Sequence, residues 1–125
     1  MAMAIGRIAF GLAMMAAPRF AGRIFLGDEV ERPSIRFMSR IFGIRDLAVG
    51  AVLLHALQND GDVTAALWLG VACDAWDAKT AFASRGALTG PGRWLVMAAG
   101  SSYAATGAAQ AIGRTAAAQP VVTDA

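Results

Sequence analysis

Four ionisable residues stand inside runs that are otherwise apolar. Arg45 and Asp46 are adjacent in "RIFGIRDLAVG", residues 40–50, and Asp74 and Asp77 lie three apart in "DAWD". A guanidinium beside carboxylates forms strong, geometrically specific ion pairs. Carboxyls in excess of guanidinium can instead hold a proton or a cation when water is scarce. Little else in the chain offers chemistry. One cysteine, Cys73, excludes an internal disulfide and a cysteine-based zinc site, and one histidine, His55, excludes a multi-histidine metal site. No Ser-His-Asp arrangement, phosphate-binding loop or nucleic-acid module is present. The expectation is therefore no catalytic residue, no cofactor and no metal. His55 reads as an interfacial polar residue, Cys73 as a small packing residue, and Trp68, Trp76 and Trp94 as packing residues or interfacial anchors.

The chain that carries these charges has 125 residues, enough for one domain. Apolar residues make up 57% and charged residues 16%, against about 45–50% and about 25% in soluble domains. Mean hydropathy is +0.51. A small domain has too much surface for that balance to suit water, so the surface is expected to face a bilayer. The net charge is only +2, and the basic side is almost all arginine, Lys79 being the one lysine. The apolar run from Ile8 to Ala17 has the length of a signal sequence. No basic residue precedes Arg7, and Pro18 spoils cleavage after "MMAA", so the segment is expected to be retained.

Turn chemistry divides the chain into four helical segments. The first covers Ala2 to Ala17 and stops at Pro18. "RFAGRIFLG" follows, with Arg19 and Arg23 one turn apart and Phe20, Ile24 and Phe25 on the neighbouring face. That pattern suits a short amphipathic element at the headgroup boundary. The second helix spans Ile35 to Leu57, after Pro33. "QNDGD" is a turn in which Asp62 caps the third helix, Val63 to Ser84. "RGALTGPGR" breaks at Gly90-Pro91-Gly92 before the fourth helix, Trp94 to Ile112. Residues 1–115 read as one four-span membrane domain and 116–125 as a flexible tail. Arg19, Arg23, Arg32 and Arg36 in the first connection, with Lys79, Arg85 and Arg93 around the third, predict cytoplasmic odd connections and both termini outside. Arg7 and Arg114 then fall on the outer side and weaken the contrast.

These helices must bring their charges together to be stable in lipid. Arg, Lys or Asp at a helix centre costs about 2.5–3.5 kcal/mol, and each Leu, Ile, Phe or Val returns only about 0.3–0.6. The second and third helices are each poor spans alone. At 1.5 Å rise per residue, Arg45 lies roughly 10–15 Å from the cytoplasmic end of its helix, level with Asp77 at roughly 10 Å and Asp74 at roughly 15 Å. Arg45 can thus satisfy one of these two aspartates or bridge both. Asp46, about 100° around the helix, faces a different neighbour. Stripes of small residues at 3–4 spacing carry the close contacts: Gly43 and Gly50 with Ser39 and Asp46, Gly70 with Asp74, Asp77, Ala81 and Ser84, and Gly100 and Gly107 with Tyr103, Ala104 and Ala111. Arg40 snorkels outward, and Lys79 points away from Asp74. Three carboxyls then face one guanidinium. Asp74, the deepest, is the candidate to carry a proton near neutral pH, because of lost hydration and neighbouring like charge.

The segments "GLAMMAAPRFAGRIF", "RIFGIRDLAVGAVLL" and "DAWDA" resemble a group of small bacterial integral membrane proteins of unknown function. Their shared pattern is a first span ending in "AP-R", an R-x-x-G-x-R-(D/E)-L-x-x-G segment and an Asp-containing third span. The likeness covers about residues 6 to 80 and carries Pro18, Arg40, Gly43, Arg45, Asp46, Gly50, Asp74 and Asp77. It implies a membrane location and no particular activity.

The expected fold is an all-α, four-helix transmembrane bundle with an interfacial segment after the first helix. The expected role is a non-enzymatic protein of the bacterial inner membrane. It would be an accessory subunit that meets lipid, other membrane subunits or a second copy of itself, and no nucleic acid. A small carrier or proton- or cation-handling protein using Arg45, Asp74 and Asp77 is the alternative. A lipid or isoprenoid enzyme is a third. Membrane prenyltransferases hold magnesium–diphosphate with such Asp pairs, but that chemistry needs a second acidic motif, for which Asp46 alone is a poor substitute.

Overall fold

Pro18 shapes the first third of the chain. A residue before proline is pushed out of the helical region, and Ala17 sits at φ −130°, ψ 58° between two helices. In the computed structural model, which describes residues 1–83 and 90–118, α1 covers Ala2–Ala16 and α2 covers Pro18–Leu26. Their axes bend by 104°. Gly27, at φ 57°, ends α2 in a conformation open to glycine, and a 3-10 turn follows over Gly27–Glu31. Pro33 supplies the first residue of α3, Pro33–Gln58. The Asp62 carboxylate accepts a hydrogen bond from the Ala65 amide at 2.9 Å and so caps α4, Val63–Ala83. The last helix, α5, runs Gly90–Ala117. Among the described residues there is no strand, and the fold is all-α.

Two boundaries differ from the sequence reading. Gly90-Pro91-Gly92 does not break the chain but forms the first turn of α5, where a proline costs no hydrogen bond. Ala116 and Ala117, assigned to a tail, belong to the same helix. Ser84, Arg85 and the remainder of the tail from residue 119 lie outside the described residues.

Glycines decide which helices touch. α1 lies antiparallel on α3 with backbone against backbone: a Cβ on Gly11 would stand 2.6 Å from the Gly43 carbonyl oxygen, and one on Gly50 would stand 2.9 Å from the Ala4 carbonyl oxygen. α5 lies antiparallel on α4 in the same way. A Cβ on Gly100 would come within 2.8 Å of the Asp74 carbonyl oxygen, and one on Gly107 within 2.9 Å of Val71. The seam between α3 and α4 is looser, since a Cβ at Gly70 would meet Arg7 at 3.4 Å and Val49 at 3.6 Å. The molecule is thus two tightly joined helix pairs, α1–α3 and α4–α5, that meet along the α3–α4 seam, with α2 also packed against α5.

The buried core is built largely from small side chains: Ala4, Ala56, Ala66 and Ala111, with Leu53 and Leu67. Large apolar side chains point outward instead. Phe20 is 81% exposed, and Phe37, Trp76, Trp94, Ile24, Phe82 and Ile112 are all more than half exposed. Phe10 forms edge-to-face contacts with Phe25 and Phe42 at 6.0 and 6.1 Å, tying α2 back onto α1 and α3. Among the described residues, no single helix is long and apolar enough to cross a membrane. α1 and α2 with the following turn reach that composition only jointly, across their bend. α1, at about 22 Å, is shorter than the hydrocarbon layer. α3 and α4 have the length but contain Arg45, Asp46, Asp74 and Asp77.

Candidate functional site

Every charged group of interest lies along the α3–α4 seam or reaches into it. Arg7 is the centre. It sits in the buried stripe Ala4, Arg7, Gly11, Met14 of α1 and is 4% exposed. Its Nη1 donates to Asp46 Oδ1 at 2.7 Å, and its Nη2 donates to Asp74 Oδ2. One guanidinium therefore bridges carboxylates from α3 and α4, both of them buried. The Arg7 guanidinium carbon lies 5.3 Å from the centre of the Tyr103 ring, so that α5 also borders the site. Main-chain proximity makes this reach feasible, since α1 is pressed onto α3 at Gly50 and α5 onto α4 at Gly100.

A second pair lies one helical turn away. Arg45 donates from Nη1 and Nη2 to the two carboxylate oxygens of Asp77, at 2.7 and 2.5 Å, in a bidentate arrangement. Its guanidinium stacks on Phe42 at 4.2 Å. This pair is partly open, with 31% of the Arg45 side chain exposed. The Nε–H groups of Arg7 and Arg45 are buried without a hydrogen-bond partner. Both guanidiniums spend their terminal nitrogens on carboxylates, and neither uses the side of its fork.

The structure thus brings together Arg45 and Asp77, and separately Asp46 and Asp74. Of the two aspartates level with Arg45, Asp77 takes it and Asp74 turns to Arg7. Arg7, which the sequence reading left out of the polar cluster, is the residue it missed. The local signal for its burial was its place between Ala4 and Gly11, small residues at helical spacing on the face that meets α3. The count of three carboxyls against one guanidinium becomes three against two, and the carboxyl in excess falls within the Arg7 group.

The other polar residues are used locally. Ser39 is buried and donates to the Ile35 carbonyl at 2.9 Å. Arg40 donates to the Met15 carbonyl at 3.3 Å, satisfying the C-terminal end of α1 rather than only snorkelling. His55 is exposed with a ring nitrogen 3.1 Å from Asn59. Lys79 is exposed and lies over Trp76 at 4.8 Å. The arginines after α1 are matched by acids: Arg19 to Glu31 at 3.2 Å, Arg23 to Asp28 at 2.7 Å and Arg32 to Glu29 at 3.0 Å. Cys73 is free and half-buried.

The space enclosed by Met3, Arg7, Asp74, Tyr103 and Gly107 has no room for a water molecule. An open recess of about 230 Å³ lies between Phe82, Arg93, Trp94 and Met97, at the other end of the α4–α5 contact. Among the described residues, no group of three or more His, Cys, Asp or Glu side chains is placed to hold a metal ion. Asp74 and Asp77, the pair considered for magnesium–diphosphate, each face a different arginine. No family model matches this chain, and no curated protein or solved structure matches it either.

Proposed function

We propose that this chain is a small, non-enzymatic integral membrane protein of the bacterial inner membrane, in which the arginine–aspartate seam fastens the helices of a transmembrane bundle. The observation that carries the reading is the inverted distribution of side chains. Arg7, Asp46 and Asp74 are buried while Phe20, Phe37, Trp76 and Trp94 face outward. In water that arrangement leaves apolar surface hydrated and charges desolvated. In lipid the outward apolar side chains carry no penalty, and charges are tolerated when they pair within the bundle. Helices too polar to insert singly then insert as a neutralised group. The bend at Ala17 lays α2 across the end of α1, with Phe20 and Ile24 exposed as a helix in the headgroup region requires.

Every aspartate of the seam is held by an arginine, with no space left beside Arg7 and Asp74 for a substrate, which supports a structural role over turnover. The bundle would serve as an accessory subunit, presenting its outward aromatic and aliphatic side chains to lipid and to a partner subunit or a second copy, with odd connections cytoplasmic and both termini outside. A membrane location is also what the motif likeness to small bacterial membrane proteins would imply. Of the positions it carries, Gly43 and Gly50 meet α1, and Arg45, Asp46, Asp74 and Asp77 form the seam. Fractionation tests the reading: the protein is expected in membranes after washes with high salt and alkaline carbonate, and to float with liposomes. Recovery in the wash supernatant refutes it.

A further inference from the structure

The seam contains an unbalanced charge, and its location couples it to the way the two helix pairs meet. The titratable groups facing one another there are Arg7 from α1, Arg45 and Asp46 from α3, Cys73, Asp74 and Asp77 from α4, and Tyr103 from α5. Arg45 and Asp77 neutralise each other through two hydrogen bonds. That leaves Arg7 between two carboxylates, a group with one negative charge too many when both are ionised. A net charge in a dry, buried site is expensive, and one proton removes it. The two carboxylates also belong to opposite halves: Asp46 to the α1–α3 pair and Asp74 to the α4–α5 pair. Each half is held internally by backbone-to-backbone glycine contacts that leave no slack. The contact between the halves is the looser one, and ionic bridges span it.

We propose that the Arg7–Asp46–Asp74 triad is a single-proton site, and that release of the proton loosens the contact between the α1–α3 and α4–α5 pairs. With the proton on one carboxyl, the triad is neutral and the halves close on Arg7. When the proton passes to water, the Arg7 group carries a net negative charge that hydration relieves, and the interface that yields to hydrate it is the looser one between the halves. No water fits in the space beside Arg7 and Asp74, and parting of the halves admits the water that takes the proton. The site thus links proton occupancy to an opening that faces the core of the bundle. This inference rests on the membrane reading only for the medium around the bundle.

The test uses the full chain reconstituted into lipid nanodiscs after it has been shown to float with liposomes. Infrared difference spectroscopy across roughly pH 5 to 9 reads the proton directly. One carboxylic C=O band is expected at the acid end and its loss at the alkaline end. The band is expected to vanish in Asp74→Asn, where Arg7 and Asp46 form a neutral pair. It is expected to persist in the double variant Arg45→Gln/Asp77→Asn, which removes the neutral pair and leaves the triad. Nitroxide labels at Ala48→Cys on α3 and Ser102→Cys on α5, in a Cys73→Ser background, read the opening. Their separation is expected to lengthen by about 2 Å or more at the alkaline end and to stay short in Asp74→Asn. A folded wild-type protein with no carboxylic band at any pH, or with a label separation indifferent to pH, overturns the proposal. A chain that does not float refutes the membrane reading instead, and the same infrared titration in aqueous buffer still decides for or against the triad.

Discussion

Replacing Arg7 with glutamine is the most demanding single test of the seam. Glutamine keeps much of the length and loses the charge. The side chain it replaces is 4% exposed and makes two charge-assisted hydrogen bonds to carboxylates that are 9% exposed. Hydrogen bonds to charged groups are worth about 1.5–3 kcal/mol each, so two of them amount to about 3–6 kcal/mol. Removing one partner of a buried ion pair costs about 3–5 kcal/mol by a separate line of measurement, because an unpaired charge is left behind. The expected loss is therefore about 3–5 kcal/mol, a large share of the stability of a domain this size. Denaturation of the purified protein in mixed micelles, followed by circular dichroism, measures it. The triple variant Arg7→Met/Asp46→Asn/Asp74→Asn removes every charge of the group together and is expected to recover most of the loss. Arg19→Gln breaks a pair whose members are both more than half exposed and is expected to change stability by less than about 0.5 kcal/mol. If Arg7→Gln unfolds within about 1 kcal/mol of wild type, Arg7 does not bridge α3 and α4, and the inverted core lacks its centre.

Further outcomes follow from packing and capping. Gly11→Ala drives a methyl group into the backbone of α3, 2.6 Å from two of its atoms, and is expected to cost about 1–3 kcal/mol in the same denaturation assay. Gly113→Ala meets nothing within 4 Å on α5 and is expected to be neutral, or to stabilise by up to about 1 kcal/mol through helix propensity. Asp62→Ala removes the cap on the Ala65 amide and is expected to cost about 1 kcal/mol, with hydrogen exchange rising first at the start of α4. Trp76 and Trp94, 63% and 61% exposed, are expected to be quenched by brominated acyl chains in reconstituted protein; efficient quenching by aqueous iodide instead contradicts the lipid-facing assignment.

The sequence by itself determined the helices and the need for neutralisation. Proline and glycine punctuation, together with Asp62, set most boundaries, because these residues act through their own backbone and immediate neighbours. It also determined that Arg45, Asp46, Asp74 and Asp77 could not remain unpaired in apolar helices, and depth along antiparallel helices set Arg45 level with Asp77. The glycine stripes of α3, α4 and α5 were legible for the same local reason, since 3–4 spacing is a property of one helix. Tertiary structure alone decided which carboxylate meets which arginine. That choice depends on the rotation of each helix about its axis and on how closely two backbones approach, and neither is encoded within a single segment. Gly11, Gly43 and Gly50 let α1 settle deeply enough on α3 for Arg7 to pass beside Asp46 and touch Asp74. Arg7 thereby became the group about which the two helix pairs are organised.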